Sequence, residues 1–78
     1  MPEIDGRTYD AAVGSDVSSR DGMFLEIWDG EDLIIVVFYS DADGTMTFTA
    51  YREDLPLPVV EWAIVEGKAR LVPEAKVG

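Results

Sequence analysis

Carboxylates are the one reactive group this sequence offers in quantity. Asp29, Glu31 and Asp32 crowd a single turn, Asp41 and Asp43 another, and Glu53 and Asp54 follow the next apolar run. Crowded carboxylates can do two kinds of chemistry: they can hold a hard cation, or they can raise one another's pKa until one serves as a general acid. The spacing argues against the first. An EF-hand frame with Gly44 at its sixth position would start at Tyr39 and end at Ala50, where carboxylates are required. Asp41 and Asp43 therefore read as turn formers whose short side chains bond their own backbone. The second needs a water-excluded pocket, and 78 residues leave no segment over to build one.

Other catalytic constellations fail for lack of parts. The chain has no histidine and no cysteine, which removes the usual general base, the usual soft metal ligands and any disulfide. Ser15, Ser18, Ser19 and Ser40 have no histidine to activate them. Lys68 and Lys76 are the only lysines, and neither follows a glycine-rich phosphate loop. The expectation is a non-enzymatic protein with no cofactor and no metal.

The net charge is −10, and it is unevenly spread. Residues 1–54 carry thirteen carboxylates against Arg7, Arg20 and Arg52, whereas residues 55–78 are balanced at three against three. Such a field repels nucleic-acid phosphates and anionic lipid and attracts a basic protein surface. The first residues lack both the basic and the apolar region of a signal peptide. The longest apolar run, Leu33 to Tyr39, is far short of the roughly 20 residues a spanning helix needs. A soluble cytoplasmic protein is expected, with a protein partner, basic in character, or a second copy of itself.

The elements that would position these groups read as α+β. Met23–Trp28 and Leu33–Ser40 are β-prone, joined by the turn Asp29-Gly30-Glu31-Asp32, and Thr45–Arg52 alternates cleanly after the Asp-Gly turn at Asp43-Gly44. These make a three-stranded antiparallel meander. Residues 1–22 read as an N-terminal arm, rich in Asp, Ser and Gly, with Thr8–Val13 a candidate fourth edge strand. Residues 23–78 form the single domain.

The last segment supports two readings. Leu57, Val60, Ile64, Gly67 and Leu71 fall at steps of three and four, one stripe of a helix that Asp54, Pro56 and Pro58 would open. The alternative is an all-β fold with a C-terminal hairpin turning at Glu66-Gly67. The helix is preferred because a meander needs a cover for its apolar face. On that stripe Trp62 lies to the far side, about 140° from Leu57 at 100° per residue, partly exposed. Phe38-Tyr39-Ser40-Asp41, then Phe48 to Leu57, then Val60-Glu61-Trp62 resemble a small bacterial family of uncharacterised proteins. That resemblance implies a C-terminal helix and no activity.

One helix cannot cover both faces of such a sheet. Leu33, Ile35, Val37 and Tyr39 alternate with Ile34, Val36 and Phe38, and Phe24, Glu26 and Trp28 with Met23, Leu25 and Ile27. Turn length decides which sets meet. Either residues 1–22 fold over the leftover face or it receives a partner. The expected function is that of a small acidic protein-interaction module, a binder or inhibitor of a basic protein, through Asp29, Glu31, Asp32, Glu53, Asp54, Phe38, Trp28 and Trp62. The alternatives are a nucleic-acid mimic, which would need carboxylates at phosphate-like spacing along one surface, and a cofactor-free enzyme using the clustered carboxylates.

Overall fold

The computed structural model describes residues 2–16 and 21–72. Four strands, β3 (Asp10–Asp16), β4 (Gly22–Asp29), β5 (Asp32–Ser40) and β6 (Met46–Ala50), form an antiparallel meander in the order β3-β4-β5-β6. A separate hairpin, β1 (Glu3–Ile4) and β2 (Arg7–Thr8), precedes them, and α1 (Leu57–Arg70) follows. The α+β class and the helical C-terminal segment are as expected, and the edge strand is real. It begins two residues later than Thr8–Val13 and runs on to Asp16; residues 17–20 lie outside the described residues. The β1–β2 hairpin was not foreseen. It turns on Asp5 and Gly6, both at positive φ (54° and 78°), the geometry a two-residue hairpin turn demands.

Register sorts the faces. Ala11, Ile27 and Ile35 lie side by side, as do Val13, Leu25, Val37 and Phe48. This face takes the helix. Between Ile27 and Trp28 the β4–β5 register slips by one, so Trp28 pairs with Leu33 and Ile34 becomes the extra residue of a bulge. Strict alternation would have sent Ile34 to the opposite face from Ile35. The bulge instead lets both enter the core, where each is about fully buried (1% and 0% exposed). Tyr9 and Ile4 join from the N-terminal side, so residues before β3 pack on the helix face and leave the other one alone.

The helix keeps Gly67 and Leu71 of the predicted stripe on its core side but is turned by one residue before them. Its buried positions are Val59, Ala63 and Gly67, continued by Leu71 just past its end, a strict spacing of four. Leu57 and Ile64 are exposed and Val60 only half-buried. The cause is close approach: Gly67, without a side chain, lies on Val37, where an added Cβ would come within 2.9 Å of Val37 Cγ1. Small residues, Ala63 and Gly67, occupy the middle of the contact line between Val59 and Leu71. Trp62 then falls about 60° from Val59, and it is half-buried, packed against the core's flank. Glu66 and Arg70 pair one turn apart at 3.7 Å, as their spacing suggests. Pro56, not Asp54, occupies the N-cap.

Candidate functional site

The turns place the acids at two ends of the sheet. At one end the Asp41 N–H bonds the Asp21 carbonyl at 3.0 Å, so Asp21, Asp41 and Asp43 gather there. Asp43 accepts from the Thr45 hydroxyl at 2.8 Å and from the Thr45 N–H at 3.2 Å, which is the turn-forming role its spacing predicts. These bonds hold its carboxyl below the ordinary range.

The other end is not the bare acid cluster expected from the sequence. Asp29 receives Arg52 at 2.8 Å on one oxygen and Arg7 on the other, through Nη2 at 2.7 Å and Nε at 3.0 Å. Arg52 also reaches Asp32 at 3.3 Å. Arg7 comes from the unforeseen hairpin, so β1–β2 is tied to the β4–β5 turn by this pair. With its side chain only 10% exposed, Asp29 is a structural anchor. Its carboxyl is pulled below its ordinary value of 3.8 by the Arg52 and then the Arg7 hydrogen bonds, the reverse of what a general acid needs. Glu31, Glu53 and Asp54 stay exposed around it, and Asp54 is held at a φ of 56°.

A depressed carboxylate makes stability depend on acid. The folded Asp29 binds its proton at lower pH than the unfolded one, so its contribution is complete above about pH 4 and disappears as pH falls through the folded value. In thermal melts from pH 7 to pH 2, Asp29→Asn is expected to melt below the parent at pH 7 and to close that gap at low pH. A gap that stays constant with pH would mean the pairing contributes nothing. Asp43 keeps a residual slope in both proteins.

Between the two ends lies the face opposite the helix. No described element crosses it. It carries Phe24, Trp28 and Val36, all half-buried, with Thr47 and Thr49 on β6. Phe38 belongs to this face but is only 4% exposed, because its ring lies against Gly22, as that of Phe24 lies against Gly14. Phe38 is therefore part of the fold, and Phe24 and Trp28 are the aromatics of this face that keep some exposure. Glu26 sits among them and accepts a bond from Trp28 Nε1 at 3.3 Å. Asp10, beside Trp28, and Asp16, beside Gly22, edge the same face. Phe24 and Glu26 were not singled out from sequence; the register that puts them beside Val36 and Phe38 is what marks them. Trp62, on the helix, lies on the other side of the sheet.

No family model, curated protein or solved structure matches the chain. Among the described residues no helix is long and apolar enough to cross a membrane.

Proposed function

We propose that this protein is a small, non-enzymatic interaction module that binds, and by binding blocks, a basic protein surface. One observation carries the reading: a sheet face that no described element covers bears Phe24, Trp28 and Val36, with carboxylates within it and at its edge, Glu26 and Asp10. Half-buried aromatic rings give a partner apolar area and a cation–π site for Lys or Arg, and the surrounding field of a chain at −10 steers such a partner in. The alternative of a nucleic-acid mimic is less well supported. Its carboxylates would run as one unbroken stripe, whereas here aromatic side chains interrupt them, and Asp29 and Asp32 are already paired with arginines.

The test is a paired capture from the native cell extract, with the parent and with Trp28→Ser as baits. The expected partner is basic, is released by salt, and is absent from the Trp28→Ser sample. A partner retained equally by both baits would place the binding surface elsewhere and overturn this assignment.

A further inference from the structure

The sheet has two outer edges, and they are built differently. The outer edge of β3 starts and ends on a carboxylate, Asp10 and Asp16, the charged kind of edge that discourages strand pairing. The outer edge of β6 has no such guard. From Thr45 to Tyr51 there is no charge, no proline and no glycine, in a chain where charges are otherwise frequent. No described strand pairs along it.

Its unpaired groups can be identified. Ser40 N–H bonds Thr45 O and Tyr51 N–H bonds Ile34 O, each at 2.9 Å. Backbone groups alternate along an antiparallel strand, so Thr45, Thr47, Thr49 and Tyr51 turn theirs inward to β5. Met46, Phe48 and Ala50 turn theirs outward. On the helix side of this edge, Phe48 and Ile64 are 41% and 42% exposed. With Val37, Met46, Thr47 and Lys68 they line a groove of about 120 Å³.

We infer that β6 is a self-pairing edge: two copies join β6 to β6 about a two-fold axis through Phe48, extending the meander into one continuous eight-stranded sheet. The side chains select a second copy over a foreign strand. Read outward from Phe48, the strand is symmetric in kind: Thr47 and Thr49, then the apolar Met46 and Ala50. A two-fold interface requires such self-complementarity, because each residue meets its mirror position. With Phe48 on the axis, the outward-facing residues pair with one another, Phe48 with Phe48 and Met46 with Ala50. Thr47 faces Thr49 across the ladder, a favourable cross-strand pair. The two Phe48 rings and the two Ile64 side chains meet on the helix side and close the groove. An uncharged edge is also where a strongly anionic chain can meet its own copy, and where it has nothing with which to attract a basic partner.

Sedimentation equilibrium between low micromolar and millimolar concentration should show a monomer–dimer equilibrium that tightens with added salt, since salt screens the repulsion between two anionic copies. That response is opposite in sign to the salt release expected of a basic partner on the aromatic face, so the two assignments succeed or fail separately. Phe48→Lys should weaken the dimer by ~30-fold or more, as loss of a central anchor does. Ala50→Pro, which removes one outward N–H and no bond to β5, should weaken it too. Amide exchange supplies a readout that does not depend on substitution. In the parent, protection of Met46, Phe48 and Ala50 should rise with concentration, while that of Thr47 and Thr49 stays constant. A monomer at every concentration, or a dimer that survives both substitutions with unprotected Phe48 and Ala50 amides, overturns the inference.

Discussion

Replacing Gly22 by alanine is expected to destabilise the domain by about 3 kcal/mol, near the upper end of what overpacking a tight site costs. The methyl group would land on the Tyr39 carbonyl oxygen and 2.5 Å from Phe38 Cζ. A ring can turn aside, but the carbonyl belongs to β5 and is fixed there by pairing with β4 and β6 on its two sides. Small domains hold only about 0.05–0.15 kcal/mol per residue in reserve, so this one change would remove a large share. Gly14→Ala provides the contrast: its methyl meets only the Phe24 ring, at 2.6 Å, and that ring is half-buried and able to swing outward. Urea denaturation of both variants should rank Gly22→Ala well below Gly14→Ala. Equal losses would mean that the backbone at Gly22 gives way as easily as a side chain.

These two glycines also explain why the aromatic face was only partly legible in the sequence. Alternation shows that Phe24, Trp28 and Phe38 share a side with Glu26, provided the register is known. It does not show that Phe38 lies down over Gly22 while Trp28 stays half-buried, because that depends on a cross-strand neighbour fifteen or more residues away in the chain. The strands themselves were readable, since Asp29-Gly30 and Asp43-Gly44 are strong turn signals and the runs between them are β-branched. Asp5-Gly6 is the same signal, but the runs on either side of it are two residues long, too short for periodicity to register. The ion-pair cluster was hidden for a related reason. Arg7, Asp29 and Arg52 come from three separate segments, and only the folded chain makes an anchor of what reads as a solvated acidic turn. The bulge at Ile34 has no local signal at all. Five apolar residues from Leu33 to Val37 admit a slip of one without cost in hydrophobicity, and the core decides it.

Gly67 and Leu71 face the core as their spacing predicts, whereas Val59 and Ala63 take the places expected of Leu57, Val60 and Ile64; Gly67 supplies the sharpest check on how closely this line packs. In an isolated helix Gly67→Ala gains about 1 kcal/mol from backbone propensity, so a helix that left room beside Gly67 would be stabilised or unaffected by it. In the observed packing the new methyl meets Val37 Cγ1 at 2.9 Å, with Met46 Cε at 3.6 Å beyond. Val37 is 4% exposed and β-branched, with no free rotamer to retreat into. Overpacking of about 1–3 kcal/mol then outweighs the propensity gain, and Gly67→Ala is expected to lose about 1 kcal/mol net. Gly67→Leu, which must push the whole helix off β5, is expected to lose about 3 kcal/mol or more. Val37→Ala distinguishes this from any unrelated effect at Gly67. Alone it opens a cavity and destabilises; combined with Gly67→Ala it gives the new methyl room, so the double variant should be more stable than the two single losses added together by about 1 kcal/mol. Strict additivity in that cycle would show that Gly67 does not rest on Val37, and the contact line Val59–Ala63–Gly67–Leu71 would have to be abandoned.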